Sequence, residues 1–547
     1  MTENKKKFYI ATLIVAVSNL LSRILGLLRS TILAAIYGAT ENNGIADCYN
    51  ASFVLPDIIY NLTVFGIISI VLVPFFSGII STGDDLANTN EDLDKNCCAI
   101  LKFFVVLVAA ICALMWFFAP VIVENFLVKG FAGDSYKIET TIRLTRIMLL
   151  QPIFVTLAGI LGAYMNARER YTSYSIAMLF YNIGIIAGIL ILHSRFGIDA
   201  AAWGTVFGSF LWFAIQLVGS MYAKFHYSFC FPKFDKEFFS LIFLAVPRII
   251  ALGSEQFVKF FITVYASFLC AGALTIYSYA ENFSMVPYGM IAVSISTTAF
   301  PIFSKNFALS EYDKMLESLF DKLKILLFLL LPICSLMIIL RFEMIDILLG
   351  YKSFTRQDTI LTCSTFFSYM MGIPFYSVTI IVAKYFYAQK KTFMPMFISL
   401  LMCAATILLS YILMKILPEN LKISGLAFGR TAGYAVQMIL LLIMVFCAKD
   451  IKYTIFPKAE IFEIVKIVMM NFVFTVVLFF IHYRVASFIK EHSLLYSKFQ
   501  YLLSGCITGF CAIICYFLLG IVFKLPYFNV IISRFGKKQS STLRSRK

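Results

Sequence analysis

The stretch Phe103-Phe104-Val105-Val106-Leu107-Val108-Ala109-Ala110-Ile111-Cys112-Ala113-Leu114-Met115-Trp116-Phe117-Phe118-Ala119-Pro120 contains no charged residue. A helix rises about 1.5 Å per residue and the hydrocarbon core of a bilayer is about 30 Å thick, so roughly 20 such residues make a crossing. Ile325 to Leu340 has the same character, and comparable runs extend from end to end of the 547-residue chain. Hydrophobic residues make up 61% and charged residues 14%, with a mean hydropathy of +0.87. These values exclude a water-soluble globule. The continuous runs also exclude an outer-membrane barrel, whose strands alternate over about ten residues. The sequence describes an all-α polytopic membrane protein.

Apolar runs between polar punctuation give about fourteen spans, over 8–38, 46–80, 98–125, 140–167, 172–193, 199–223, 237–269, 273–304, 322–343, 358–388, 392–415, 424–447, 462–484 and 499–523. Several exceed the minimum crossing length, which predicts tilt or breaks. Lys5, Lys6 and Lys7 precede an apolar run that continues past Arg23 to Gly38 without a small-residue cleavage site, so this is a retained first helix and not a signal peptide. With the N-terminus cytoplasmic, that side collects about 25 Lys and Arg against about 10 opposite, as the positive-inside rule requires. An even number of spans returns the basic C-terminal tail to the cytoplasm. The formal net charge of +16 is thereby assigned to loops that fix topology, and no nucleic-acid partner is expected. Asp84 to Lys95 is expected to be a flexible loop. Ser310 to Lys322, with Met315, Leu316, Leu319 and Phe320 at helical spacing, is expected along the cytoplasmic interface or as an ordinary surface helix.

A faint repeat divides the chain. Val73-Pro74-Phe75-Phe76-Ser77 at the end of span two matches Phe300-Pro301-Ile302-Phe303-Ser304 at the end of span eight, about 227 residues later. Tyr164-Met165-Asn166-Ala167-Arg168-Glu169-Arg170 matches Tyr385-Phe386-Tyr387-Ala388-Gln389-Lys390-Lys391, about 221 residues later. Both pairs lie six spans apart, which implies two six-helix lobes in a parallel pseudo-repeat, over 1–230 and 231–450. Residues 451–547 then add two helices and a basic tail. Parallel repeats place a substrate path at the interface of the halves.

Ionisable groups inside spans are costly, about 2.5 to 3.5 kcal/mol each at the centre, and face a cavity or a partner. Span one carries Arg23 and Arg29 around Gly26, which permits a break or a close approach. Two guanidiniums there suit an anionic head group, because Arg grips phosphate oxygens in pairs; snorkelling to an interface is the alternative. In span seven, Arg248, Glu255 and Lys259 share one helix face. They form either a polar seam or a structural ion pair in which Glu255 and Lys259 neutralise each other. Glu281 in span eight is a candidate counter-charge for an arginine of span one or seven. Asp47 and Asp57 flank the start of span two. Arg143, Arg146, Lys384 and Arg430 are expected at interfaces. The cysteines sit within or beside apolar runs as small packing residues. No metal ligand set, cofactor motif, nucleotide loop or catalytic constellation emerges from them or from His193, His226, His482 and His492. The expectation is a carrier with a cationic cavity, not an enzyme.

Ser22-Arg23-Ile24-Leu25-Gly26-Leu27-Leu28-Arg29, followed by Tyr37-Gly38-Ala39, Ala46-Asp47, Leu55-Pro56-Asp57, Gly66 and Val73-Pro74, resembles the N-terminal signature of the MurJ/MviN lipid II flippases. These belong to the multidrug/oligosaccharidyl-lipid/polysaccharide exporter superfamily. The resemblance implies a multi-pass protein of the bacterial cytoplasmic (inner) membrane that moves undecaprenyl-pyrophosphate-linked peptidoglycan precursor by alternating access. Its partners would be lipid II, membrane lipids and cell-wall synthesis proteins. It further implies that Arg23, Arg29 and Asp47 occupy polar positions of the family motif, the arginines lining the cavity for the lipid-linked pyrophosphate. The chain departs from the family at Tyr60-Asn61, at Phe65 and at Glu281-Asn282, where the family commonly carries Arg-Arg, an acidic residue and Asp-Arg. Arg248 and Lys259 are the candidates to restore the missing positive charge. A carrier of another lipid-linked oligosaccharide, a drug/cation antiporter and a non-transporting cell-wall scaffold remain alternatives at this stage. So do a drive by membrane potential and one by an ion.

Overall fold

The computed structural model describes residues 3–62, 72–82, 86–228, 236–447, 458–492, 497–523 and 525. Among the described residues there is no strand, and thirteen segments are long and apolar enough to cross a membrane. Each coincides with one expected span. The remaining expected span, 46–80, includes residues 63–71, which lie outside the described residues. The protein is an all-α multi-pass membrane protein, as its hydropathy demands.

The helices gather into two compact units, Met1–Tyr279 with Tyr351–Asp358 and Thr392–Gly429, and Ala280–Gly350 with Thr359–Lys391 and Arg430–Lys547. The first unit begins with α1 (Glu3–Tyr37), then α2 (Ile45–Ser52), α3 (Val54–Ile59), α4 (Val73–Thr82), α5 (Leu86–Ile122), α6 (Ser135–Met148) and α7 (Gln151–Ala167). It continues with α8 (Tyr171–Phe196), α9 (Asp199–Tyr222), α10 (Lys236–Ser267) and the start of α11 (Ala273–Pro287). Its core is built around Phe76, Phe104 and Tyr164, all fully or almost fully buried. In a bilayer, helices associate through close packing because lipid is as apolar as they are, so small residues mark the seams. Gly184 and Gly188 of α8 meet Gly208 and Gly204 of α9; a Cβ at Gly188 would stand 2.3 Å from Gly204 Cα. Gly188→Val is therefore expected to lower the thermal midpoint of the detergent-solubilised protein, with overpacking costing about 1–3 kcal/mol. An unchanged melt would show that α8 and α9 can separate freely.

The second unit carries the rest of α11, α12 (Val293–Ala308), α13 (Tyr312–Ile339), α14 (Arg341–Leu349) and most of α15 (Arg356–Ala388). After α16 (Phe393–Ile416), which belongs to the first unit, it adds most of α17 (Lys422–Cys447), α18 (Lys458–His492) and α19 (Ser497–Val522). Ile339, Phe474, Leu478 and Ala512 form a core where α13, α18 and α19 meet. Asn471 Nδ2 donates to Ser335 Oγ at 3.0 Å, and Ser335 Oγ lies 2.8 Å from Thr475 Oγ1, joining α13 to α18. An apolar groove of about 640 Å³ runs between α13, α15, α17 and α18, lined among others by Leu327, Phe375, Met438, Val468 and Phe472.

Two local expectations change. Asp84 to Lys95 is not a loop where it is described: α5 begins at Leu86. Asp94 there is buried, accepting from Tyr164 Oη at 2.6 Å and from the His226 amide at 3.0 Å. Ser310 to Lys322 does not lie along an interface, because α13 runs unbroken from Tyr312 into span nine. No Pro or Gly interrupts that stretch, and Met315, Leu316, Leu319 and Phe320 are buried in the protein.

The repeated segments share local geometry. Glu169 and Lys390 both take a left-handed φ of 59°. Arg170 N donates to Met165 O at 2.9 Å and Lys391 N to Phe386 O at 3.1 Å. This is the same helix-ending turn, in which a left-handed residue satisfies the last carbonyls. Tyr60 to Leu62 and Tyr288–Ala292 are both π-helical, as is Val123–Leu127 outside the repeated segments.

Candidate functional site

α1 presents the two arginines on a continuous helix. Gly26 does not break it; the Ser30 and Thr31 hydroxyls donate to Gly26 O at 3.2 Å and Leu27 O at 3.1 Å. Next to that glycine, Asn182 of α8 donates through Nδ2 to Ser22 O and Oγ, both at 3.3 Å. Six residues of helix separate Arg23 from Arg29, about 9 Å along the axis and about 120° around it. Both are half-buried. Among the described residues, neither side chain forms an ion pair or hydrogen bond. Arg29 lies within electrostatic range of the Tyr49, Tyr181 and Tyr279 phenols. Phenols supply oxygen without neutralising the cation, so α1 keeps two positive charges for an anion to meet.

Asp47 is placed differently. Its carboxylate is buried and accepts from Gly272 N at 2.8 Å, Thr275 N at 2.8 Å and Thr275 Oγ1 at 2.6 Å. These are the orphan donors at the start of α11, which also attract negative charge through the helix dipole. Asp47 thus fastens α2 to the beginning of α11. Asp57 of α3 accepts from Lys259 Nζ of α10, a partner for Lys259 that the same-helix spacing to Glu255 did not suggest. Glu255 lies one turn earlier on α10. Arg248 lies on α10 too, but its side chain falls outside the described residues.

Among the described residues, Glu281 pairs with Arg430, a partner the sequence did not nominate. Its Oε1 lies 3.6 Å from Arg430 Nη2 of α17. Arg430 is not interfacial: it is 7% exposed, because its Nε donates to Tyr434 Oη at 2.8 Å and its guanidinium lies over the Tyr434 ring. Tyr434 stacks on Tyr376 at 4.3 Å between centroids, and Tyr376 on Tyr288 at 4.5 Å. Arg430 sits only two turns into α17, and proximity to a span end is what suggested an interface. Arg143 pairs with Asp199 at 3.0 Å on an exposed face, and half-buried Arg146 lies over Trp116. Among the described residues, no group of His, Cys, Asp and Glu is arranged to hold a metal ion.

The structure therefore separates the predicted residues into two cations on α1 without a protein partner among the described residues, a latch at Asp47, a helix-bridging pair at Lys259, and a pair between half-buried Glu281 and buried Arg430. Thr275 carries no sequence signal; Asp57, part of the family signature, and Arg430 stand out in the sequence, but nothing there links them to Lys259 and Glu281.

The sequence profile described as lipid II flippase MurJ matches residues 33–499. A protein of Borreliella burgdorferi described as a probable lipid II flippase MurJ is 23% identical over 517 residues, covering 94% of this chain and 97% of its own. One of Thermotoga maritima with the same description is 27% identical over 433 residues, covering 79% and 84%. A solved lipid II flippase MurJ in an inward closed conformation superposes with a TM-score of 0.74 at 22% identity, covering 95% of this chain and 100% of that one. An inward-facing multidrug resistance transporter of the MATE family, from the MOP superfamily, shares the fold at a TM-score of 0.64 and 12% identity, covering 79% of this chain and 96% of its own. The chain belongs to the MurJ family of lipid II flippases.

Proposed function

We propose that the protein carries undecaprenyl-pyrophosphate-linked peptidoglycan precursor from the inner to the outer leaflet of the bacterial cytoplasmic membrane, by alternating access and without chemical change to its cargo. The observation that carries this reading in detail is the pair of unneutralised guanidiniums on α1. A diphosphate offers the oxygen geometry that Arg binds through two parallel N–H bonds. Arg23 and Arg29 hold the pyrophosphate, while the prenyl tail stays in lipid or in the apolar groove of about 640 Å³ beside α18. Arg248, Glu255 and Lys259 on α10 and Glu281 on α11 add polar contacts to the cargo, and Asp47 serves as a latch. The shared helix-ending turns at Glu169 and Lys390 support two six-helix halves, 1–230 and 231–450, with 451–547 appended. The termini face the cytoplasm on the loop-charge bias, and cell-wall synthesis proteins are the protein's partners.

An inside-negative potential favours outward movement of each negative charge by roughly 2.3 kcal/mol per 100 mV, so the cycle runs without ATP. The test is depletion of the protein followed by a leaflet-specific assay for lipid II. Accumulation on the cytoplasmic side is expected. An unchanged distribution would assign the protein another lipid-linked cargo.

A further inference from the structure

His482 has no part in the scheme above, yet it is placed with care. Its Nε2 lies 3.1 Å from Glu343 Oε1 of α14, and its Nδ1 lies 3.2 Å from Thr508 Oγ1 of α19. The side chains of His482 and Glu343 are 14% and 10% exposed. Among the described residues, Glu343 Oε2 is buried without a hydrogen-bond partner. His482 lies about 15 Å of helix from the end of α18, inside a segment apolar enough to span a membrane. An ionisable pair inside such a segment is costly and, where it occurs, marks ion or proton pathways.

The three side chains accept two protonation states with the same heavy-atom frame. With a neutral imidazole, Nε2–H donates to the Glu343 carboxylate and Nδ1 accepts from the Thr508 hydroxyl; the node then carries one net negative charge. One added proton goes to Nδ1, which now donates to Thr508 Oγ, and the node becomes neutral. A threonine hydroxyl both donates and accepts, so rotation of one O–H serves both states.

Other charged or titratable groups are carried by every element packed around the node. α14 brings Arg341 and Asp346, α13 Cys334, α15 Cys363, and α19 Lys498 and Cys511. Arg484 lies on α18 itself. Arg341 donates Nη1 to Ile338 O at 2.8 Å and Lys498 donates to Gly350 O. Among the described residues, His482 is the basic side chain within ion-pair distance of Glu343. α18 also forms one wall of the apolar groove, through Val468, Phe472 and Val476. Proton occupancy thus acts on the helix that shapes the groove.

We infer that His482, Glu343 and Thr508 form a proton-binding site, and that this proton is a coupling ion for transport. The coupling part rests on the proposed function; proton binding does not. On the loop-charge topology the site opens nearer the outer side, where a proton-driven exporter would load. The purified full-length protein in weakly buffered detergent, read with a pH dye between pH 8 and 5, is expected to take up about one proton more per chain than His482→Gln or Glu343→Gln. Equal uptake by wild type and both monodisperse variants overturns the site. In vesicles containing lipid II, an imposed pH gradient at zero potential is expected to accelerate wild-type transport about fivefold, with that acceleration lost in both variants while their response to an imposed potential remains. Thr508→Val, which keeps the pair but removes the hydroxyl, is expected to weaken the pH response. Retention of full pH-gradient acceleration by His482→Gln overturns the coupling. Wild-type protein that moves no lipid II under either gradient overturns the proposed function, while the proton-uptake result stands by itself.

Discussion

Replacing Arg23 and Arg29 together by Ala is expected to abolish lipid II transport, so that a strain depending on this protein stops dividing once the wild-type copy is withdrawn. Hydrogen bonds to charged groups contribute about 1.5–3 kcal/mol each. Losing one such contact per arginine removes about 3–6 kcal/mol, or roughly 10²- to 10⁴-fold in affinity for the pyrophosphate. Neither guanidinium has a protein counter-charge among the described residues, so the double variant leaves no carboxylate stranded and should fold. Native mass spectrometry of the purified variant with lipid II measures the loss directly. Arg→Lys at both positions keeps the charge but not the planar fork, and an intermediate affinity is expected. Normal growth of the double-Ala strain would refute the grip on pyrophosphate and favour a scaffold that recruits cell-wall enzymes.

The second large effect is on stability. Asp47→Ala removes the acceptor for Gly272 N, Thr275 N and Thr275 Oγ1. Each buried donor left without a partner costs about 1–3 kcal/mol, so a loss of about 3–9 kcal/mol is expected. The thermal midpoint in detergent should fall by ten degrees or so. Asp47→Asn keeps one acceptor oxygen and should recover part of the loss. The decisive comparison is lipid II binding per folded molecule. It should be unchanged in Asp47→Asn if the carboxylate is a latch, and reduced in proportion to Arg23→Ala if it touches cargo.

The sequence disclosed its membrane character and nearly all its spans because a crossing leaves a long contiguous apolar signature, as in Phe103 to Pro120. The family signature likewise sits in one contiguous N-terminal stretch. Partner choice was opaque for the opposite reason. Lys259 meets Asp57 at a separation of 202 residues, so helix periodicity, which pointed to Glu255, could not nominate it. Arg430 was assigned to an interface from its distance to a span end, whereas Tyr434 one turn on and Glu281 on another helix draw it inside. His482 looked like a span-end residue until Glu343 and Thr508 were brought to its two nitrogens. The loop expected at Asp84 to Lys95 failed because acidity was taken to mean solvation, and Asp94 is instead solvated by Tyr164 and the His226 amide.

The link from Asp47 to the start of α11 also constrains biosynthesis. Asp47 leaves the ribosome 225 residues before Gly272, an interval on the order of tens of seconds at about 5–20 residues per second. During that interval the early segments enter the bilayer with this carboxylate still lacking its final donors. A nascent chain stalled before Gly272 should therefore hold α2 loosely and expose it to protease or to quality control. Release of a few dozen more residues should suffice to seat it, which makes the seventh crossing and the turn behind it a checkpoint for assembly of everything that came before.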